Sequence, residues 1–230
     1  MKRKWIVVTV MVVAIVLLIL MVSVHRSEKQ VPVRHVVVSG QLNNISQPEL
    51  VKLVKPLVDG QNFFHVKLKQ VATEVESIAW VAHADVSRDW PDTIAININE
   101  QQPIAVWNQI GLVNQQGKIF YPRQSSFPAD IPNFFAPNSQ QATIVVKNYQ
   151  SMKAMLTPLK LAPSTIRVDS NNSWEVTLSN NIKLQLGSKD ILTKLQHFVK
   201  VYPKVFTNHS RTAQVVDLRY PNGMAVQWKK

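Results

Sequence analysis

The sequence predicts an α+β protein: a single N-terminal transmembrane helix, then a β-α-α-β-β unit, then a mixed β-sheet domain with flanking helices. Three observations carry this. An uncharged, apolar run from Trp5 to Val24 follows the basic triplet Lys2-Arg3-Lys4. Between residues 33 and 102 the hydrophobic period switches from two to about 3.6 and back. From 103 to 228 short alternating segments and turn residues dominate, interrupted by one clear helical stripe. A chain of 230 residues with 46% hydrophobic and 17% charged content has enough apolar material for two small folded units.

In the 5–24 run only Thr9 and Ser23 are polar. At about 1.5 Å per residue a helix of that length matches the ~30 Å hydrocarbon core of a bilayer. A cleaved signal peptide is the competing reading, but its apolar region is typically about 7 to 15 residues and ends in a small-residue site. Here the run ends Met21-Val22-Ser23-Val24-His25-Arg26, whose β-branched valines suit cleavage poorly. The expected organisation is a cytoplasmic leader at 1–4, a span at 5–24, a linker at 25–32 and a body outside the cytoplasm. Arg26, Lys29 and Arg34 dilute the positive-inside bias, yet a basic cluster at the very start still favours a cytoplasmic N-terminus.

Val33 to Val38 is a β-branched strand stopped by Ser39-Gly40. Ser46 and Glu49 have the spacing of a capping box, with Pro48 acceptable in the first turn. Leu50, Leu53, Val54 and Leu57 then share a helical face, and Asp59-Gly60 ends it. Leu68, Val71, Ala72 and Val75 predict a second short helix. Trp80-Val81 and Ala84 to Arg88 read as extended, Trp90-Pro91-Asp92 as a turn, and Ile94, Ile96 and Ile98 as the buried face of a strand.

Beyond Pro103, the prolines at 122, 128, 132 and 137 predict a loop-like stretch. Thr143 to Lys147 reads as a short strand and Ser151 to Leu161 as a short helix. Trp174, Val176 and Leu178, the turn Ser179-Asn180-Asn181, and Ile182, Leu184 and Leu186 form a hairpin pattern. Ser188 and Asp190 open a helix striped by Ile191, Leu195, Phe198, Val199 and Tyr202, expected to end before Pro203. Val216, Leu218 and Tyr220, then Asn222-Gly223, then Met224, Val226 and Trp228 predict a closing hairpin with a two-residue turn.

Nothing in the sequence assembles a catalytic site. There is no cysteine, which removes disulfides, thiolate metal sites and a cysteine nucleophile. The histidines at 25, 35, 65, 83, 197 and 209 are scattered and none pairs at i, i+4. No phosphate-binding glycine loop or nucleophile elbow occurs. Glu74 and Glu76 fall on different helix faces, and Asp85, Asp89 and Asp92 surround a turn, where capping is the ordinary role. The reading is therefore of no catalytic residue, no cofactor, no metal and no small-molecule substrate. A net charge of +12 could attract nucleic acid, but a membrane anchor with the body outside the cytoplasm points instead to anionic lipid, acidic wall polymers or an acidic protein.

Two segments read as protein-binding surfaces. His83, Val86 and Arg88 lie on or beside a strand that can form a sheet edge. Met224 to Trp228 closes the chain as a strand whose unpaired backbone groups a partner can continue. Tyr220 and Trp228 beside it are either interface anchors or core residues, and the pattern is compatible with both.

The basic start and span, the β-α-α-β-β unit ending Trp80-Val81, Val86, Trp90-Pro91-Asp92, Glu100, Pro103-Ile104-Ala105 and Trp107-Asn108, and the later set Ser173-Trp174, Leu186-Gly187, Tyr202-Pro203 and Val216-Asp217-Leu218-Arg219-Tyr220, then Gly223, Ala225-Val226 and Trp228, resemble the FtsQ/DivIB family of bacterial cell-division proteins. The resemblance implies a POTRA domain at 33–102 and a β-domain at 103–228, both periplasmic, on a single-pass inner-membrane protein anchored by the helix at 5–24 and enriched at the septum. It implies a non-enzymatic scaffold that binds FtsB and FtsL by β-augmentation and connects to FtsK, FtsW and FtsI. The matching partner-binding positions are Arg219, Tyr220, Gly223, Met224, Ala225, Val226 and Trp228; the recruitment surface of the POTRA domain matches His83, Val86 and Arg88. Asn172 stands where close relatives often carry arginine, so an acidic partner residue would need another cation, with Arg167 and Lys183 as candidates. The rival reading is a membrane-tethered POTRA protein that assists envelope protein assembly or translocation. A third is a secreted hydrolase with an unrecognised site.

Overall fold

The computed structural model describes residues 11–19, 21, 31–206, 212–220 and 223–229. Residues 11–19 and 21 are helical, and no helix among the described residues is long and apolar enough to cross a membrane. The rest of the 5–24 run and residues 25–30 of the expected linker lie outside the described residues. The chain divides into two units, one formed by Met1–Ser77 with His83–Ile98 and the other by Ile78–Ala82 with Asn99–Lys230.

The first unit contains β1 (His35–Ser39), α1 (Gln47–Val58) and α2 (Leu68–Glu76), followed by most of β2 (Val81–Asp89) and β3 (Thr93–Glu100), in a sheet of order β1-β3-β2. β1 runs parallel to β3, with Val36 opposite Ile94 and Val38 opposite Ile96. Ile94, Ile96 and Ile98 are buried, as are Leu50, Val54 and Val58 of α1 and Val71 and Val75 of α2. The two sequence periods thus meet in one core. Ser46 precedes α1 but its side chain makes no capping bond, so the expected capping box does not form and the helix rests on its buried stripe and Pro48 in the first turn. Gly40 is obligatory after β1: its φ is +129°, and a Cβ there would stand 2.3 Å from the Ile98 carbonyl oxygen.

The second unit is built on a nine-stranded mixed sheet of order β12-β11-β10-β9-β8-β7-β4-β5-β6. Its strands are β4 (Pro103–Trp107), β5 (Gly111–Asn114), β6 (Ile119–Phe120), β7 (Asn133–Phe135), β8 (Pro163–Val168), β9 (Trp174–Leu178), β10 (Lys183–Gly187), β11 (Ala213–Asp217) and β12 (Ala225–Trp228). The pairs β4–β7, β7–β8 and β10–β11 are parallel and the others antiparallel. Two helices, α3 (Ala142–Leu156) and α4 (Ile191–Val205), contribute to its core, where Trp107, Phe134, Met152, Ile166 and Phe198 are buried almost completely.

Three expectations change here. Thr143 to Lys147 is not a strand but the start of α3, whose buried Ala142, Val145, Val146, Tyr149, Met152 and Leu156 follow a helical stripe that outweighs the β-branched composition. α4 continues through Pro203 to Val205, because a proline near the helix end sacrifices only one donor there. The closing hairpin has no two-residue turn: Asp217 pairs with Ala225, the connection spans 218–224, and Gly223 does not adopt the positive φ of an Asn-Gly turn. Pro221 and Asn222 of that connection lie outside the described residues.

Candidate functional site

The free side of β12 forms the candidate site. β12 pairs antiparallel with β11 and is the terminal strand of the sheet order, so among the described residues no strand pairs with its other edge. Its burial alternates: Ala225 and Gln227 are exposed, Val226 and Trp228 half-buried. Met224, Val226 and Trp228 pack against the core. Trp228 sits 5.8 Å, centroid to centroid, from Phe206, which itself stacks on Tyr202 at 5.4 Å. The two aromatics singled out in the sequence therefore separate: Trp228 braces the strand from below, while Tyr220 is 58% exposed.

Tyr220 and Gly223 line a groove of about 450 Å³ against α4, together with Leu218, Lys194, His197 and Lys200. The wall is basic because α4 presents its polar stripe there, its apolar stripe being committed to Leu195 and Phe198 in the core. Lys194 Nζ donates to the Leu186 carbonyl at 2.8 Å, which fixes that cation to the end of β10. The sequence named Tyr220 and Gly223 here but not the three basic residues of α4; their i, i+3, i+6 spacing was the available signal.

Arg219 is held within its own domain. Its Nε donates to both oxygens of Asp217, at 2.9 and 3.1 Å, and Nη2 to Oδ2 at 2.6 Å. These hydrogen bonds, with the neighbouring positive charges of Arg219 and Lys194, hold the Asp217 carboxyl below the usual carboxylate range. Gly187, at φ +72°, lets the Arg219 stem pass: a Cβ there would lie 3.3 Å from Arg219 Cγ.

Strand register places Arg167, Glu175, Gln185, Asp217 and Ala225 opposite one another in sequence across β8 to β12. Of the cations proposed to replace the one missing at Asn172, Lys183 lies 3.6 Å from Glu175, and the Arg167 guanidinium sits over the Phe135 ring at 4.2 Å. At about 4.8 Å per strand, Lys183 is roughly 10 Å from β12 and Arg167 nearly twice that. Asn172 itself occupies a left-handed position in the β8–β9 turn, donating its backbone N–H to the Asp169 carbonyl.

The second surface lies on β2, an edge of the three-stranded sheet. Ala84, Val86 and Arg88 share a face by strand alternation, buried, half-buried and exposed in turn. Arg88 Nε donates to the Phe63 carbonyl at 2.8 Å, and Nη2 to the Phe64 and Val66 carbonyls at 3.0 and 2.8 Å. That one guanidinium organises the loop before α2. His83 is exposed, with Nδ1 2.7 Å from Glu76 Oε1, and the same carboxylate oxygen accepts from the Ala84 N–H. Among the described residues no cluster of three or more His, Cys, Asp or Glu side chains could hold a metal ion.

Comparison with known proteins assigns both units. Residues 31–101 match the model of the FtsQ-type POTRA domain, and residues 105–219 that of the C-terminal domain of cell division protein FtsQ/DivIB. The chain is 31% identical over 208 residues to cell division protein FtsQ of Coxiella burnetii, covering 90% of this chain and 84% of that protein. It is 31% identical over 218 residues to the protein of the same name from Alcanivorax borkumensis, covering 95% and 84%, and 30% identical over 198 residues to that from Hahella chejuensis, covering 86% and 70%. With two domain matches in this order and relatives alike over most of both lengths, the chain belongs to the FtsQ/DivIB family of cell division proteins.

Proposed function

We propose that this protein is a non-catalytic scaffold of the division septum that docks a partner polypeptide as an added strand on the outer edge of β12, the partner being FtsB in complex with FtsL. The observation that carries the reading is the outer edge of β12, with which no strand among the described residues pairs, beside an exposed Tyr220 and on a strand whose Val226 and Trp228 pack against the core. An added strand gains its affinity from main-chain hydrogen bonds, and its selectivity from side chains flanking the edge. Exposed Ala225 and Gln227 supply one flank, and Tyr220 with the basic groove of α4 the other. Arg219 serves this site as a brace clamped to Asp217, and Lys183 is the nearer cation for an acidic partner residue.

On the same reading the protein spans the inner membrane once through residues 5–24, with its body in the periplasm. The POTRA unit offers Val86 and His83 for recruitment by FtsK and contact with FtsW and FtsI, while Arg88 shapes the loop beneath them. Photo-crosslinking in cells from Ala225, with Tyr220→Ala as the matched control, tests the docking edge. Capture of a small membrane-anchored coiled-coil protein that is lost with Tyr220→Ala supports it. Absence of capture from well-expressed protein, or capture indifferent to Tyr220, overturns it.

A further inference from the structure

Trp90 is 79% exposed and Phe64 58%, the two exposed aromatic residues among those described in the first unit. Both lie at one pole of that unit. Arg88, two residues before Trp90, bonds the Phe63 and Phe64 carbonyls. The chain enters at the same place: Phe63 N–H donates to the Val31 carbonyl, Val33 N–H to the Gln61 carbonyl, and Arg34 N–H to the Asp92 carbonyl just past Trp90. Phe63 is buried and meets Phe64 edge-on at 5.2 Å, so Phe64 projects from a rigid base. Arg34, His65 and Lys67 are exposed on the same entry segments, and Arg34 Nε lies 4.0 Å from Asp92 Oδ2.

In sequence, Val31 stands seven residues after Val24, the last residue of the apolar run. Seven residues reach at most about 25 Å when fully extended. If residues 5–24 span a bilayer, the entry pole cannot leave the neighbourhood of its surface, and Arg26 and Lys29 lie within the connecting stretch. Exposed aromatic rings with exposed basic residues on the neighbouring segments, at that distance, fit the water–headgroup boundary, where Trp partitions and basic groups meet anionic headgroups.

We infer that the Phe64–Trp90 pole of the POTRA unit rests on the anionic bilayer surface, with the two rings as interfacial anchors that fix the unit's orientation on the membrane. The inference rests on the reading of 5–24 as a span. Its consequence is that the β2 edge leaves the membrane plane from a fixed origin, presenting Val86 and His83 at a set height instead of on a free tether.

The native chain has no cysteine, so single-site labelling is direct. A nitroxide at Asp89→Cys, beside Trp90, is compared with one at Ser77→Cys, which adjoins Glu76 and so the His83 end of β2. The full chain is reconstituted in nanodiscs of phosphatidylethanolamine and phosphatidylglycerol. The expected result is a higher ratio of oxygen to Ni(II)-chelate accessibility at position 89 than at 77, lost in Trp90→Ala and in the Phe64→Ala, Trp90→Ala double variant. An unchanged spectrum at 77 verifies the fold. Equal ratios at the two sites, or a ratio at 89 indifferent to both variants, overturn the contact while leaving the span intact. Failure of the chain to enter the discs overturns the span and the contact with it. Protection at 89 that appears only with two chains per disc assigns the rings to a second copy and overturns the lipid assignment.

Discussion

The two edge strands proposed to bind partners, β2 in the first unit and β12 in the second, each come with an arginine, and the two arginines are spent differently. Arg88 crosses from its strand to three carbonyls of the Phe63–Val66 loop, so it joins segments distant in sequence. Arg219 folds back on Asp217 two residues away and stiffens only the exit of β11. An arginine on or beside a candidate binding strand is thus no guide to the binding residue. What remains for contact is Val86 and His83 on β2, and Tyr220 with the outer edge on β12.

The largest effect expected from this contrast is at Tyr220. Tyr220→Ala weakens partner binding by about 2 kcal/mol, roughly thirtyfold, as a hot-spot aromatic does, and leaves the thermal unfolding of the isolated protein unchanged. Calorimetric titration with the partner segment, beside a melting curve, checks both halves. A lowered melting temperature would return Tyr220 to the core.

Arg88→Ala should do the reverse. Three carbonyls lose a charged donor, and about 2 kcal/mol of the first unit's stability goes with them, a fall in melting temperature of some 8 °C or more for a unit this small. Arg88→Lys recovers only part, since one ammonium cannot reproduce the planar fork. Val86→Ala, by contrast, should weaken recruitment more than it lowers stability. Were Arg88→Ala to melt like the native protein while losing recruitment, the division of labour on β2 would be wrong.

A smaller effect belongs to Gly187. Alanine there must adopt φ +72° and displace the Arg219 stem, costing about 1 kcal/mol, measured by urea unfolding. Smallest is the acid response of the Asp217–Arg219 pair. The folded carboxyl titrates below its unfolded value near 3.9, so its stabilising contribution is present above that pH and disappears as pH falls through the folded value. Asp217→Asn should therefore lower stability slightly at pH 7 and flatten the loss between pH 5 and 2. An unaltered acid limb would show the pair to be energetically idle.

Helices 47–58 and 68–76, the isoleucine strand and the 174–187 hairpin were legible because their buried faces repeat locally, at periods no neighbouring element alters. Residues 103–135 were not. β4 to β7 are short strands of two to five residues, some beginning at proline or glycine, that exist because they pair with one another and with β8. Thr143 to Lys147 misled through its β-branched composition, although the stripe from Ala142 to Leu156 was present to be counted. At the candidate site the terminal strand and its residues were named from the sequence, but the basic face of α4 was not joined to it, since helix and connection come together only in the folded domain, roughly twenty residues apart along the chain.

The sequence alone determined the order of elements in the first unit, the 174–187 hairpin and the helix after it, the apolar N-terminal run, the absence of cysteine chemistry and the positions of the two candidate surfaces, because periodicity, composition and charge are local properties of the chain. Tertiary structure alone decided which aromatic is exposed and which packs against the core, and what each arginine is bonded to. It also set β12 at the end of the sheet and brought Phe64 to the same pole as Trp90. Those are facts of burial and of contacts between segments far apart in sequence, and no spacing along the chain encodes them.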